Sequence, residues 1–344
     1  MDKYMEYALE QLKTLVSIPS PSGMTREATD YLLAELTRLG FRPQRTRKGT
    51  VTCDLGGTGH GIAISSHVDT LGAMVRSVKS NGCLRLSQIG GYNYNAIENE
   101  NVLIHTRDGR VYSGTVQSTH ASLHVWSSNA KDERTDETVE VVVDEEVRTA
   151  QDTKALGIDA GCVVSFDPRF VVTKSGFVKS RFLDDKCSAS LLLALARQVA
   201  DGAVTLARNV ILVFTVYEEE GHGASALYGM PVEDFIAVDM GCVGDDLNCH
   251  ETELSICAKD SASPYDFDFT NELIDRAKRL SIPYAVDIYP RYGSDCSTVL
   301  KAGLEARFAC CGQGVFASHG YERTHIKGMQ ATLALIGDLS ERVY

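Results

Sequence analysis

Three things are missing from this 344-residue chain: a Cys-x-x-Cys pair among its ten cysteines, an apolar stretch of membrane-spanning length, and any concentration of lysine and arginine. Each absence excludes something. Unpaired in sequence, and in several cases set inside apolar runs, the cysteines read as reduced, buried small hydrophobes, so the expected compartment is the cytoplasm. A spanning helix needs about 20 apolar residues in succession, and none is found. The N-terminus, Met-Asp-Lys-Tyr-Met-Glu-Tyr-Ala-Leu-Glu-Gln-Leu, carries acids and helical periodicity in place of the unbroken apolar core of a signal peptide. The net charge of -12, without a basic cluster, argues against a nucleic-acid or anionic-membrane partner. Internal repeats and low-complexity segments are absent too.

What is present is an ordinary globular composition, 44% hydrophobic and 23% charged, long enough for one large domain with an insertion or for two domains. The chain is organised around Asn209–Ser225. There a β-branched apolar run, Val210–Val216, empties into Glu218, Glu219 and Glu220 and then a glycine-bracketed turn. That is how a buried parallel strand delivers chemistry at its carboxyl end. Three adjacent acids repel one another and lose solvation, so unless the turn is simply solvated they need basic side chains or metal ions.

Read in order, apolar residues from Met5 to Val16 recur at helical spacing, and the Pro/Gly-rich Ile18–Gly23 stops that helix. A second helix is expected from about Thr25, as N-cap, to Gly40. Gly61–Asp69 is a strand that ends in His67-Val-Asp69. Residues two apart on a strand point the same way, so Asp69 can fix the His67 ring by hydrogen bonding to one nitrogen. A structural, hydrogen-bonded histidine is the alternative. From Leu71 to Pro168 the pattern changes to short alternating segments joined by Asn81-Gly82, Gly90-Gly91 and Asp108-Gly109, a β-rich insert. Within it, Val-Glu-Val-Val-Val is a strand, Thr149–Leu156 is helical and Val163–Phe166 returns to strand. After Arg181-Phe-Leu-Asp-Asp-Lys186 comes a helix over Cys187–Asp201, where Asp184 and Asp185 can also be ordinary helix-opening acids. Phe235–Gly241 delivers Asp239. Helices are expected at Thr270–Ser281, Asp295–Ala302 and Lys327–Val343, and strands at Tyr284–Ile288 and Ala306–Cys311. The expected fold is α/β: a helix-covered mixed sheet forming a catalytic domain of residues 1–70 and 169–344, with an inserted small β-rich domain at 71–168.

His67, Asp184, Glu218, Glu219, Asp239 and His319 all sit where an apolar strand ends or a loop follows one. Such positions converge on one crevice in an open α/β sheet. Two imidazoles and at least three carboxylates describe a site for two divalent cations, one carboxylate bridging, with an acid left over as a base.

The order His-x-Asp, Asp-Asp-Lys, Glu-Glu-x-Gly, Asp and late His resembles the co-catalytic dinuclear metallopeptidases. It more particularly resembles the glutamyl and deblocking aminopeptidases that form tetrahedral particles, some formerly labelled endoglucanases. Their β insert likewise begins directly after the His-x-Asp strand and carries an Ile-Gly-Gly, matched here by Gln88-Ile-Gly-Gly91. The resemblance covers nearly the whole chain and implies a zinc-peptidase-like fold. It makes His67 a terminal metal ligand oriented by Asp69, Asp184 the bridging ligand, Glu218 the general base, Glu219 and Asp239 terminal ligands and His319 the second imidazole. Asp185 follows Asp184 through a peptide that is cis in such proteins, and Gly293-Ser-Asp295 resembles a turn lining the substrate cleft.

The chain departs from the pattern at Thr70, at Ser188, in the one-residue-shorter Gly221-His-Gly-Ala224, and in Gly-Tyr-Glu-Arg-Thr-His325 after His319. Glu220, His222 and His325 receive no role. The implied activity is removal of N-terminal residues from short peptides by a homo-oligomer, a dimer or a dodecamer built through the insert. Two divalent ions per subunit are implied, zinc first, with cobalt and manganese as alternatives. A deacylase or carboxypeptidase of the related branch is the competing reading; Asp239 favours the aminopeptidase, because the rival often has Glu there. Which N-terminal residue is preferred does not follow from the sequence.

Overall fold

The computed structural model describes residues 2–127 and 131–342. Two compact units are present, Met1–Asp69 with Arg169–Tyr344, and Thr70–Pro168. The larger unit is built on a mixed sheet whose central strands are parallel. Asn209–Thr215, Gly61–His67, Asp234–Val238 and Arg307–Phe316 lie side by side in that order. Gly61–His67 is buried along its whole length, as expected of a parallel strand covered on both faces. Alternation sorts its side chains: Ile62 and Ile64 join one core with Leu212, Phe214, Leu191 and Leu335, while Ala63 joins a second with Val213, Phe235 and Phe308. Burying a side chain of the size of Phe214 contributes about 1.5–3 kcal/mol.

Register places the site. Thr215 lies opposite His67 and Ala237 opposite Ser65, so the residues that follow, Glu218 and Glu219 on one strand and Asp239 on the other, leave the sheet at the same edge as His67. Helix Lys3–Ser17, capped by Asp2, packs with helix Leu183–Ala200. The latter is helical only beyond Asp184 and Asp185, whose backbone angles are not, and the Asp184–Asp185 peptide is cis.

The smaller unit is a closed six-stranded barrel in the order Gly72–Val78, Leu84–Ile89, Val139–Val143, Val111–Ser118, Asn101–His105, Val163–Phe166. Its Asn81-Gly82 and Asp108-Gly109 turns place both glycines at positive φ, 86° and 87°, which side chains resist. Valine, leucine and isoleucine fill the interior, among them Val75, Leu86, Ile104, Val116 and Val141. Helix Ala150–Ala155 starts on a Thr149–Asp152 capping box.

Several element boundaries differ from those expected. Helix Phe267–Leu280 begins three residues earlier than its periodicity suggests, because Asp266 accepts the Phe269 N–H and caps it. Thr25 occupies its N-cap position without a side-chain cap bond. The last helix is Ile326–Glu341, and Val343, its expected end, lies outside the described residues. Strand Arg307–Phe316 continues well past Cys311. No described helix is long and apolar enough to cross a membrane.

Candidate metal centre

Beyond Val216 the chain turns sharply. Tyr217 takes φ +69°, the Gly221 N–H returns to the Glu218 carbonyl at 2.6 Å, and the His222 N–H to the Tyr217 carbonyl at 3.2 Å. Glu218 and Glu219 therefore diverge because they sit on a turn. Asp69 fastens this turn from inside: its two carboxylate oxygens accept the Glu218 and Glu219 N–H groups at 3.2 and 3.3 Å. Asp295 holds the far side, accepting the Ala224 N–H at 2.8 Å and the Thr215 hydroxyl. A Cβ on Gly223 would lie 2.5 Å from the Asp295 carboxylate, so the turn approaches it only without a side chain there. Lys48 closes the outside, donating to the His222 and Gly223 carbonyls and to Ser225 Oγ.

Inside this frame Asp184 stands between two imidazoles. Its Oδ1 is 3.0 Å from His67 Nε2 and its Oδ2 is 3.3 Å from His319 Nε2. The two glutamates reach different rings: Glu218 lies 3.8 Å from His67 Nε2, Glu219 lies 3.6 Å from His319 Nε2. His67 Nδ1–H donates to the main-chain carbonyl of Asp69 at 3.0 Å, leaving Nε2 facing the carboxylates. Asp69 thus orients the ring through its backbone, not its side chain as expected. The Asp69 carboxylate, 3.6 Å from Nδ1, is drawn to the glutamate N–H groups and the Ser22 hydroxyl.

Asp185, unassigned as a site residue from its motif, accepts the His67 N–H at 3.3 Å. Glu322, also unassigned, accepts both the Asp184 N–H at 3.0 Å and the His319 N–H at 3.1 Å. It thereby fixes two candidate ligands through their backbones. Its only sequence signal is a glutamate three residues after His319. His325 is structural: its Nδ1 accepts the Lys327 N–H that opens the last helix, and its Nε2 donates to the Ser175 carbonyl. His222 stacks on Tyr217 with ring centroids 5.0 Å apart. Glu220 is exposed.

The electrostatics call for cations. Burial pushes Glu218 and Glu219 well above the usual carboxylate range, with neighbouring acids adding to the shift and the imidazoles opposing it. Asp239 is pushed up to about 7 by burial and by Asp184. Asp184 itself is held below the usual range, because hydrogen bonds to His319 and His67 outweigh its burial. Two buried oxygens, Asp185 Oδ1 and Glu219 Oε1, have no hydrogen-bond partner. Donor atoms of His67, Asp184 and Glu219 lie within 4.8 Å of one another, as do those of His67, Asp185 and Asp239. Nitrogen and carboxylate donors so spaced, with excess negative charge and orphaned oxygens, fit divalent ions.

An α/β unit with such a cluster at the carboxyl ends of its parallel strands has the form of a metallohydrolase. The sequence model of the family described as M42 glutamyl aminopeptidase matches residues 49–335, and the chain belongs to that family. It is a peptidase. The chain is 40% identical over 330 residues, 95% of each chain, to the protein named "Putative aminopeptidase YhfE" of Bacillus subtilis (strain 168). In fold it is similar to an aminopeptidase of the archaeon Desulfurococcus kamchatkensis, with a TM-score of 0.89 and 20% identity over 99% of this chain and 96% of that one. The TET1 peptidase of Pyrococcus horikoshii, which can assemble into a tetrahedron or a large octahedral shell, matches with a TM-score of 0.85 and 20% identity over 98% and 100%.

Proposed function

We propose that this peptidase is a dinuclear metal-dependent aminopeptidase of short peptides, with zinc as the metal and Glu218 as the general base. The observation that carries the proposal is Asp184, whose two oxygens face one imidazole each. His67, Asp184 and Asp239 would hold one ion, and Asp184, Glu219 and His319 the other. Ions bound there polarise a scissile carbonyl and lower the pKa of water. Glu218, fixed through its N–H by Asp69 and reaching toward His67, takes the proton from the attacking water as the oxygen bonds to the carbonyl carbon. It returns that proton to the departing amine as the C–N bond breaks. Asp69 and Glu322 keep the parts in place. The carboxylate-rich cleft also suits a substrate with a free, cationic α-amine.

Ten free cysteines support a reducing, cytoplasmic setting. The barrel, which contributes none of these residues, is assigned to self-assembly, as a dimer and then a dodecamer. Chromogenic aminoacyl amides with a free amine, assayed beside their N-acetylated forms with zinc, cobalt or manganese, test the function. Cleavage of the free-amine substrate alone is expected. Preference for the acetylated one would make the protein a deacylase, and release from the C-terminal end a carboxypeptidase.

A further inference from the structure

The proline- and glycine-rich segment after the first helix does more than stop it. From its contacts we infer that Ile18–Gly23 is a strap fixing the turn that carries Glu218 and Glu219, with Ser22 as the positioning residue. Ser22 keeps the Asp69 carboxylate on the backbone of that turn and off the His67 ring. The kinetic consequence rests on Glu218 as general base; the placement of Asp69 does not.

The strap is stiff. Pro19 and Pro21 each fix φ near about −65° and hold the residue before them extended, as Ile18 is at φ −88° and ψ 112°. The Met24 N–H then closes a turn onto the Pro21 carbonyl at 2.8 Å, with Gly23 at φ +90°. Fully buried Lys186, which follows Asp184 and Asp185 in the chain, donates to the Leu15 and Ile18 carbonyls at 2.8 and 2.7 Å. It thereby ties the start of the strap to the helix that opens with the candidate bridging ligand. Two buried hydroxyls grip the end of strand Gly61–His67: Ser20 Oγ donates to the Val68 carbonyl at 2.7 Å and Ser22 Oγ to Asp69 Oδ2 at 2.5 Å.

The second of these bonds decides where Asp69 points. Asp69 Oδ1 lies between two donors, the Glu218 N–H at 3.2 Å and His67 Nδ1 at 3.6 Å, while Oδ2 accepts the Glu219 N–H at 3.3 Å. Both glutamate bonds are at the long end of the N–H···O range, so a small rotation of the carboxylate would carry Oδ1 from Glu218 to the ring. The short Ser22 bond holds Oδ2 against that rotation. Without it, fully buried Asp69 lacks one acceptor partner, and the imidazole N–H is the donor that takes its place. Glu218 would then lose the bond that fixes its backbone.

Amide hydrogen exchange at Glu218 and Glu219 in the zinc-loaded protein tests the placement. In the unaltered protein both amides should exchange far more slowly than in an unfolded peptide of the same sequence. Ser22→Ala should speed both roughly tenfold, about the weight of one hydrogen bond, with exchange along Gly61–His67 unchanged. Ser22→Thr, which keeps the hydroxyl, should restore the slow rate. Ser20→Ala removes a bond to a main-chain carbonyl only and should leave both amides protected. In turnover of a chromogenic aminoacyl amide, Ser22→Ala should lower kcat roughly tenfold with KM and bound metal unchanged, and Ser22→Thr should recover it. Unprotected amides in the unaltered protein, a result that needs no variant, would overturn the strap. So would equal loss of protection in Ser20→Ala, or unchanged exchange in a folded Ser22→Ala protein. A raised KM or lost metal in place of the kcat effect would refute positioning and leave Ser22 a structural residue. Glu218→Gln, assayed beside them, keeps the two readings apart: near-normal turnover there removes the general base, while amide exchange still decides where Ser22 holds Asp69.

Discussion

At the scale of single residues, the two adjacent glutamates offer the sharpest discrimination. Glu218→Gln keeps size and hydrogen-bonding reach but removes basicity, so it should fold, bind metal and lower kcat by about 10²–10⁴-fold with KM little changed. Glu219→Gln, by contrast, should lose metal, read by elemental analysis. Near-normal turnover in the first together with full metal occupancy and lost turnover in the second would exchange the roles. Glu322→Ala removes the acceptor of two N–H groups, the buried one of Asp184 and the half-buried one of His319, and is expected to weaken metal binding by about 10–100-fold, measured by competition with a chelator. Metal affinity unchanged in a folded Glu322→Ala protein would limit that residue to stability. His67, Asp184, Glu219, Asp239 and His319 were legible because each is a chemically able side chain after an apolar run. Glu322, Asp185 and Lys48 were not, because they act on main-chain N–H and C=O groups, which every residue carries and no motif records.

Among the elements, the sequence showed most helices and strands and misplaced their ends where tertiary contacts decide. Strand Arg307–Phe316 passes Cys311 because Gly312 and Gly314 let other segments come close; a Cβ at Gly312 would lie 2.0 Å from the Asp239 carbonyl and one at Gly314 2.3 Å from that of His250. Read locally, those glycines look like a stop; in place, Gly312 is what seats Asp239. The last helix carries a pH-dependent tie that sequence spacing could not reveal. Its Asp338 accepts from fully buried Arg276 and from Arg279, both at 2.7 Å, joining it to helix Phe267–Leu280. Burial would raise the Asp338 carboxyl, but hydrogen bonds from Arg279 and Arg276 outweigh it and hold it below the usual range. A depressed carboxyl stabilises the fold above the unfolded value near pH ~4 and loses that contribution as pH falls through the folded one. Asp338→Asn should therefore cost about 2 kcal/mol at neutral pH, and the difference from the unaltered protein should shrink below pH ~4 in denaturant titrations. A cost independent of pH would assign the effect to packing.

On the scale of the whole molecule, turn dipeptides made the β-rich character of residues 71–168 legible. Closure into a barrel was not, because it depends on pairing Gly72–Val78 with Val163–Phe166, segments far apart in sequence. If this unit drives assembly, light scattering at micromolar concentration should give a dimer or larger, and a monomer would remove that role. The candidate ligands come from five separate segments, the ends of Gly61–His67, Asn209–Thr215 and Asp234–Val238, the start of Leu183–Ala200, and the loop at His319. In the unfolded chain they are scattered, so binding should favour the folded larger unit by mass action, by about 4 kcal/mol when free metal is a thousandfold above its Kd. For a unit of this size that corresponds to a rise in Tm of roughly 8–16 °C. The barrel holds none of these donors and should gain nothing. Scanning calorimetry of chelated and zinc-loaded protein, with bound metal counted in each sample, should show the shift together with two ions per subunit. A zinc-loaded protein melting where the chelated one does, or full peptidase activity in a sample shown to be free of metal, would remove the dinuclear centre from the account of this fold.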